Sequence, residues 1–369
     1  MQVNINQRVN TLRDRLDSSP YDALIIASTQ NCRYLCGLAN DDANVAYLIV
    51  STDALYLVTD YRYSQQAKAQ CTGVEVIERN CDKHSLGQQF NIVLQQMQVK
   101  HVAFERDFFS FGMIEDIIAQ LDNKHGKIKV TGIAGWVEQQ RMIKDESEII
   151  NIKAAANIAD AALAQLVSFL RPGITERDAS LELEYQMQKA GSEGMSFPTI
   201  LISGERTALP HGLASNKVLM PGDLITIDFG AVINGYRSDM TRAFVVGEPN
   251  KKQLAVYQTV KMAQQIGVQS VIAGILGSHP YNEAKKILDA SEFAEFQGEG
   301  LGHGVGLFLH ELPFLKKDCA ITLQENMVIT IEPGLYIPGW GGLRIEDDIR
   351  VTNTGYEMLT HAPRDLIVL

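Results

Sequence analysis

A six-residue pattern occurs twice in the C-terminal part of this chain. Residues 225–230 read ITIDFG and residues 329–334 read ITIEPG. Each copy is an apolar strand pattern that ends in a carboxylate, and a glycine-containing turn and a further acid, Asp239 or Glu346, follow it. A helical stretch precedes each copy, and a duplication explains the matching acids better than chance. Two similar halves would bring two pairs of acids together across a pseudo-twofold axis.

The first pair of acids can be placed from the turn between them. Asn234-Gly235 between two strand-like segments is typical of a two-residue type I′ hairpin. Counting outward from this turn puts Asp239 opposite Gly230, on the same face as Asp228, with the Cβ atoms of the two acids roughly 7 Å apart. Two unpaired carboxylates at this spacing would repel each other. A shared cation is therefore favoured over two independent surface aspartates.

A glycine-rich run supplies a candidate nitrogen ligand. Glycine occupies every second position from residue 298 to residue 306. If this run is a strand, one face is bare, which suits the close approach of another backbone or a ligand, and the other face carries Glu299 and His303. A lone histidine would more often be a hydrogen-bonded core residue, but the clustered acids favour His303 as a metal ligand. His310 follows without the second histidine of a zinc-binding helix.

Together these residues predict a metal site that is mainly oxygen. Four carboxylates and one imidazole suit two divalent ions better than one tetrahedral structural zinc. The ligand type is compatible with manganese, which we favour, and with cobalt, zinc or iron. Two such ions can activate a water and polarise a scissile carbonyl. The candidate ligands are Asp228, Asp239, His303, Glu332 and Glu346.

The length of 369 residues predicts two domains. Residues 1–136 read as a small α/β unit, with strand-like runs at 23–27 and 45–51 and a helical stretch at 63–71. Long helical patterns then replace the short strands, so the second domain is predicted to span residues 137–369. Asp145 with Glu148 forms the pattern of a capping box at the start of its first helix.

The composition excludes several classes of partner. A net charge of −11 without a basic stripe argues against nucleic acid and anionic membranes. No apolar run is long enough to span a membrane, and the N-terminus lacks the blocks of a secretory signal, which predicts a cytoplasmic protein. The five cysteines are scattered and odd in number, which predicts buried free thiols rather than a zinc or redox site.

Seven short motifs along the C-terminal part resemble the metallopeptidases of the pita-bread fold. That family includes methionine aminopeptidases, Xaa-Pro aminopeptidases and Xaa-Pro dipeptidases, or prolidases. The resemblance implies an α+β fold, in which a smaller α/β domain of the creatinase type precedes a pita-bread catalytic domain with a pseudo-twofold repeat. The motifs, in the family's order, are PHG (210–212), TIDFG (226–230), SDMTR (238–242), GHGVG (302–306), HE (310–311), TIEPG (330–334) and RIEDD (344–348).

The resemblance also implies roles for the metal ligands. Asp228 would be a bidentate ligand of one ion and His303 a ligand of the other. Asp239 and Glu346 would bridge the two ions. Glu332 would bind metal and also carry the proton of the attacking water. Creatinase shares the fold without metals, and the full ligand set argues against that use here.

The same resemblance implies residues that act on the substrate. His310 would stabilise the tetrahedral intermediate, and His211 would contact the substrate near the scissile bond. Tyr336 and Arg344 occupy positions typical of the proline-specific branch and are predicted to bind substrate.

The N-terminal unit favours the proline-specific branch, because short methionine aminopeptidases lack a domain of this size. The motifs TDYRY (59–63), RMIKDESEI (141–149) and SGERTALPHG (203–212) are similar to that branch. By resemblance, the N-terminal domain helps to close the substrate pocket and often forms the dimer. The expected substrates are small peptides with proline at the second position, and the expected assembly is a homodimer.

Two positions depart from the family's pattern. Glu299 stands where the proline-specific enzymes usually carry a histidine, and it could neutralise a substrate amine, add a ligand or alter specificity. Phe314 stands where some prolidases place an arginine for the free carboxylate of a dipeptide, and the nearest bases are Lys316 and Lys317. The missing arginine favours an Xaa-Pro aminopeptidase, with an Xaa-Pro dipeptidase as the alternative. Methionine aminopeptidase and a non-catalytic pita-bread binding module are lesser alternatives.

Overall fold

A computed structural model describes residues 4–40, 42–121 and 126–369. The chain divides into two compact units, Met1–Arg141 and Met142–Leu369. The sequence predicts the boundary at residue 136, within several residues of this division. In the structure Trp136–Arg141 forms the last helix of the first unit, where Arg141 Nη1 donates to Asn31 Oδ1 at 2.8 Å.

The first unit alternates helices with short strands. Its helices are α1 (Ile5–Asp17), α2 (Thr29–Cys36), α3 (Tyr61–Gln70), α4 (Leu86–Gln96), α5 (Phe111–Ile118) and α6 (Trp136–Arg141), and its strands are β1 (Ala23–Ile26), β2 (Ala46–Ser51), β3 (Leu55–Thr59), β4 (Glu75–Glu78), β5 (His101–Glu105) and β6 (Lys129–Ile133). These strands form one mixed sheet in the order β4-β3-β2-β1-β5-β6, in which only β2 is antiparallel to its neighbours. The strands predicted at 23–27 and 45–51 and the helix predicted at 63–71 are confirmed as β1, β2 and α3.

The second unit contains longer helices and several smaller sheets. Its helices are α7 (Glu146–Val167), α8 (Glu176–Lys189), α9 (Lys251–Gln269) and α10 (Ser278–Asp289). Its strands are β7 (Ile200–Ser203), β8 (Leu224–Phe229), β9 (Val232–Ile233), β10 (Tyr236–Arg237), β11 (Met240–Val245), β12 (Gly302–Gly304), β13 (Glu311–Leu315), β14 (Val328–Ile331), β15 (Gly334–Ile337), β16 (Gly341–Arg344), β17 (Asp347–Thr352), β18 (Gly355–Met358) and β19 (Ile367–Val368).

The second unit repeats one arrangement, a pair of helices followed by a sheet. Helices α7 and α8 precede the sheet β19-β11-β8-β7, and helices α9 and α10 precede the sheet β13-β12-β14-β17-β18. Each pair shares a buried apolar cluster with strands of the sheet that follows it. The two copies of the hexapeptide begin in β8 and β14 and continue into the turns that follow, so the structure has the repeated halves that the sequence predicted.

Local sequence signals explain where the first helices of this unit begin. Asp145 accepts a hydrogen bond from the N–H of Glu148, whose carboxylate accepts one from the N–H of Asp145, so the predicted capping box is confirmed. Thr175 and Asp178 form the same motif at the start of α8. Helix α7 ends at Val167, before the Pro172-Gly173 pair that follows it in the sequence.

Two general expectations can be checked in the described part of the chain. All five cysteines are free thiols there, as predicted. Cys32, Cys36 and Cys319 are buried, but Cys71 is only half-buried and Cys81 is exposed, so the predicted burial is wrong for these two. No helix within residues 4–40, 42–121 or 126–369 is long and apolar enough to cross a membrane.

Candidate metal centre

The hairpin that joins β9 and β10 positions the first two acids. Asn234 and Gly235 both have positive φ, of 49° and 74°, as a type I′ turn requires. The register that places Asp228 opposite Thr241 continues through this hairpin, so the predicted diagonal placement of Asp239 and Asp228 is confirmed. Gly230 makes the register possible, because a Cβ atom at this position would lie 1.8 Å from the carbonyl oxygen of Ser238.

The glycine-rich run forms a much shorter strand than its alternation suggested. Strand β12 covers only Gly302–Gly304, because Gly300 has a φ of +79° that breaks the extended conformation. A Cβ atom at Gly302 would lie 2.0 Å from the carbonyl oxygen of Thr330, and one at Gly304 would lie 2.2 Å from that of Leu312. The predicted close approach of neighbouring backbones therefore occurs at these two glycines.

Backbone contacts orient the imidazole of His303. The backbone N–H of His303 donates to Thr330 Oγ1 at 3.0 Å, and the ring Nδ1 lies 3.0 Å from the carbonyl oxygen of Gly304. A carbonyl can only accept, so Nδ1 carries a proton and Nε2 is the ring nitrogen that faces the acids. This Nε2 lies 3.2 Å from Glu332 Oε1 and 3.6 Å from Asp239 Oδ2. The geometry is that of a histidine prepared to bind a cation through Nε2.

Two threonines hold the carboxylates of the second repeat. Thr241 Oγ1 donates to Glu346 Oε2 at 2.6 Å, and Thr330 Oγ1 donates to Glu332 Oε1 at 3.1 Å. Each threonine thereby restricts the rotation of an acid that is predicted to bind metal. The sequence analysis did not single out these threonines, although both lie within motifs that it used.

The buried acids of this cluster have too few partners. Asp228 Oδ1, Asp239 Oδ1 and Glu346 Oε1 are buried without a hydrogen-bond partner in the described part of the chain. Ligand atoms of Asp239, His303 and Glu346 all lie within 4.8 Å of one another. An unsatisfied buried carboxylate oxygen is costly unless a cation binds it, so these residues fit a metal ion.

The electrostatics of the acids point the same way. Burial raises the pKa of Asp239 well above its usual value, and the charge of Glu346 raises it further. Burial, followed by the charge of Glu332, raises the pKa of Glu346 in the same direction. The raised pKa values mean that the ionised forms of Asp239 and Glu346 are unfavourable at this place unless a cation lies nearby.

Arg344 lies among these acids, and its charge partly balances their negative charge. It donates to Asp228 Oδ2, and its Nε lies 3.9 Å from carboxylate oxygens of Glu332 and Glu346. Its Nη1 also donates to the hydroxyl of Tyr336 at 2.6 Å. Arg344 and Tyr336 both line the cavity described below, so their predicted role in substrate binding stays a prediction.

Asp348 is a buried acid of the cluster that the sequence analysis assigned no role. Its Oδ2 accepts a hydrogen bond from the N–H of Asp239 at 2.8 Å, which fixes the backbone of that residue. Burial raises the pKa of Asp348 to about 8. The only signal for Asp348 in the sequence is its place in the RIEDD motif, two residues after Glu346.

A cavity of about 1120 Å³ opens above the cluster. The His310 ring lies 4.4 Å from the His303 ring in an edge-on contact. Burial, together with the charge of His303, holds the pKa of His310 below its usual value, which keeps the imidazole neutral. The cavity is lined by the predicted site residues His211, Glu299, His303, His310, Glu332, Tyr336 and Arg344. It thus brings both predicted substrate histidines to the metal ligands.

The outer part of the cavity carries charged side chains. Glu299 is exposed and precedes β12, so the shared strand face that related it to His303 does not exist in the structure. Lys316 and Lys317 line the cavity, and their side chains have no hydrogen bond or ion pair with any described residue. Lys285, also in the lining, is held by Asp289 and Gln297.

Comparison with known proteins identifies the two units. Residues 150–353 match metallopeptidase family M24, and residues 8–143 match the creatinase/prolidase N-terminal domain. An Xaa-Pro dipeptidase of Pyrococcus horikoshii is 36% identical over 363 residues, which cover 98% of this chain and 99% of that protein.

Solved structures show the same likeness. An Xaa-Pro dipeptidase from Bacillus anthracis matches with a TM-score of 0.93 and 36% identity, over 99% of this chain and 100% of that chain. An X-Pro aminopeptidase from Thermotoga maritima matches with a TM-score of 0.89 and 34% identity, over 98% and 99% of the two chains. The predicted fold, a pita-bread domain preceded by a creatinase-type domain, is confirmed.

Proposed function

The chain belongs to metallopeptidase family M24, and from this premise we propose that it is an Xaa-Pro dipeptidase that uses two divalent metal ions. Position 314 is a phenylalanine instead of the arginine of some prolidases, and this difference alone favours an aminopeptidase. Relatives of nearly the same length that are named Xaa-Pro dipeptidase favour the alternative.

One observation carries the metal-dependent part of the proposal. Three buried carboxylates, those of Asp228, Asp239 and Glu346, each keep an oxygen without a partner among the described residues, and Nε2 of His303 faces the same space. With Glu332, these residues would hold two divalent ions. The ions would supply Lewis acidity for the scissile carbonyl and a more acidic water.

The chain's own residues would handle the protons. The largest influence on Glu332 is burial, which raises its pKa, but the hydrogen bond and charge of His303 outweigh it and hold the pKa below its usual value. Glu332 is therefore ionised and can accept the proton of the attacking water. Neutral His310 can donate an N–H to the oxygen on which negative charge develops.

The proposed preference for proline is explained by the missing N–H of an Xaa-Pro bond. An Xaa-Pro bond has no N–H, so it cannot be oriented by a hydrogen bond from that nitrogen. Binding must therefore use other groups of the substrate. His211 lines the cavity beside the metal end and is our proposed contact near the scissile bond.

The free carboxylate of a dipeptide requires a cation in the same cavity. Arg344 is already engaged by Asp228 and Tyr336, whereas Lys316 and Lys317 have no side-chain partner in the described part of the chain. We assign these two lysines to the substrate carboxylate, in place of the arginine absent at Phe314. The size of the cavity, about 1120 Å³, keeps Xaa-Pro aminopeptidase as the second candidate.

The remaining predictions concern the metal ion, the assembly and the cellular location of the protein. Manganese as the physiological ion, a homodimer, a cytoplasmic location, and the capping and dimerisation roles of the N-terminal unit stay predictions.

Three peptides test the proposed specificity. Metal-loaded protein is incubated with Ala-Pro, with Ala-Pro-amide, which lacks the carboxylate, and with Ala-Pro-Ala. We expect kcat/KM to be highest for Ala-Pro. Equal or faster cleavage of Ala-Pro-Ala and of the amide would instead identify an aminopeptidase.

The lysines are tested with a matched control. Lys316→Ala and Lys317→Ala should raise KM for Ala-Pro by roughly tenfold each, the loss expected when a charged hydrogen bond of about 1.4 kcal/mol is removed. Lys285→Ala should leave KM unchanged, because Lys285 is held by its own partners. An unchanged KM in both test variants would refute the assignment of the lysines.

A further inference from the structure

A buried ion pair lies behind the turn that carries His310. Lys144 Nζ is 2.6 Å from Glu311 Oε1, and the two side chains are only 1% and 6% exposed. The backbone of Gly306 packs directly on this pair, since a Cβ atom there would lie 2.5 Å from Glu311 Oε1 and 3.2 Å from Lys144 Cε. The proposed reaction uses neither Lys144 nor Glu311.

The turn between Gly306 and Glu311 is held against the pair. The N–H of Phe308 donates to Glu311 Oε2 at 3.4 Å, and the N–H of Gly306 donates to the carbonyl of Phe308 at 3.0 Å. The imidazole of His310 makes no hydrogen bond to any residue that the structure describes. Its position is therefore set by its contact with the His303 ring and by the backbone on either side, which Glu311 anchors.

The other end of the pair is attached to the strand that leads to Glu332. The N–H of Lys144 donates to the carbonyl of Asn326 at 3.0 Å, and Ile143 forms a β-bridge with Met327, directly before β14. Glu332 follows β14 in the chain. The ion pair thus connects the backbone before Glu332 with the turn that carries His310.

We infer that the Lys144–Glu311 ion pair is a positioning device that holds His310 at a fixed place relative to Glu332. Stability alone gives a weak reason for such a pair, because well-packed apolar side chains of similar volume are often as stabilising as a buried salt bridge. A fixed reference between two groups that act on one carbonyl gives a stronger reason, since small misplacements of a reacting group lower the rate steeply. The inference rests on the proposed function of His310.

Paired substitutions separate positioning from stability. Lys144→Met or Glu311→Met alone leaves a buried charge unpaired and should lower Tm. The double variant Lys144→Met/Glu311→Met removes both charges and should regain most of this loss and keep the metal content. We nevertheless expect kcat for Ala-Pro to fall on the order of 10- to 100-fold with little change in KM.

The decisive comparison uses the His310→Ala background. If the pair acts through His310, the double substitution lowers kcat in the wild-type background and has no further effect when His310 is already alanine. An equal fall in both backgrounds, an unchanged kcat, or a change in KM alone would overturn the inference. Val256→Ala, in the buried core of α9, is the control and should lower Tm without lowering kcat.

A measurement without substrate makes the result independent of the proposed function. Hydrogen exchange of residues 306–311 should be at least about tenfold faster in the double variant, while the Asn234–Gly235 turn stays unchanged. Unchanged exchange in residues 306–311 would overturn the anchoring role. If the wild-type protein cleaves none of the three peptides, while the double variant shows the faster exchange, the proposed function is refuted and the anchoring is not. If the double variant fails to fold, Glu311→Gln and Lys144→Arg serve in the same comparisons.

Discussion

The first unit buries the carboxylate of Glu105 with partners for both oxygens. Its Oε2 accepts the N–H groups of Ala27 and Ser28, each at 2.9 Å, and its Oε1 accepts the amide of Asn31 at 2.6 Å. The second unit buries Asp239 and Glu346 just as deeply, yet one oxygen of each has no partner among the described residues.

Burial raises the pKa of the acid in both units, so the direction of the shift does not distinguish them. The difference lies in the hydrogen bonds. Protein donors surround Glu105 completely, which is what a structural acid needs. The acids of the second unit lack such donors, and a cation would complete their coordination. Unsatisfied oxygens therefore identify the binding site more reliably than shifted pKa values do.

The largest difference between the two kinds of acid should appear in the reaction rate. Asp239→Asn keeps the shape and removes the charge, so kcat for Ala-Pro should fall by roughly 10³-fold, the upper range for losing one electrostatic stabiliser. Glu105→Gln, the matched change in the first unit, should leave kcat unchanged. Near-normal turnover of Asp239→Asn at saturating metal would remove Asp239 from the site.

Glu105 should contribute to the pH dependence of stability, beside the buried acids of the second unit. Burial raises the pKa of Glu105 from 4.5 to about 7, so the folded state holds its proton more tightly than the unfolded chain. Glu105 alone should therefore lower the free energy of unfolding by about 3 kcal/mol as pH rises from about 4.5 to about 7. Denaturant titrations at pH 5 and pH 8 measure this fall, and Glu105→Gln should reduce it. The same pH dependence in both proteins would show that Glu105 is not its source.

Metal binding should stabilise the second unit, and this stabilisation should not depend on Glu105. At a free manganese concentration 100 times Kd, the free energy of unfolding should rise by about 2.7 kcal/mol for each independent site. Asp239→Asn should lose most of this gain, and Glu105→Gln should retain it. Metal analysis of the dialysed and reloaded protein should give two ions per chain. Full activity with a single bound ion would contradict the two-ion proposal.

The smallest effect is expected from an exposed acid of the cavity. Glu299 can attract a cationic group of the substrate, such as a basic first residue. Glu299→His should therefore reduce the ratio of kcat/KM for Lys-Pro to that for Ala-Pro by a few-fold, since an exposed ion pair contributes about 0.2–1 kcal/mol. Metal content should not change. Loss of one metal equivalent would make Glu299 a ligand, and an unchanged ratio would give it no role in specificity.

The sequence predicted those parts of the site that depend on local rules. The Asn234-Gly235 turn determined the register of the hairpin, and the register placed Asp228 beside Asp239. The alternating glycines were less informative, because the positive φ of Gly300 interrupts a strand that the pattern alone would continue.

Contacts between distant segments were beyond this kind of reasoning. The hydrogen bond from Arg344 to Asp228 and the support of Asp239 by Asp348 join residues more than a hundred positions apart. No periodicity or turn signal encodes such pairs. The family motifs predicted that these residues matter, but only the folded chain shows which groups they touch.

The tight backbone at Gly230 has a consequence for how variants of this protein would be read. A Cβ atom there would lie 1.8 Å from the carbonyl oxygen of Ser238, so every other amino acid pushes the two strands of the hairpin apart. In a mutational scan scored by activity, Gly230 would rank with Asp239, although glycine contributes no atom to the reaction. A catalogue of sensitive positions would then list a residue whose whole contribution is the space it leaves free.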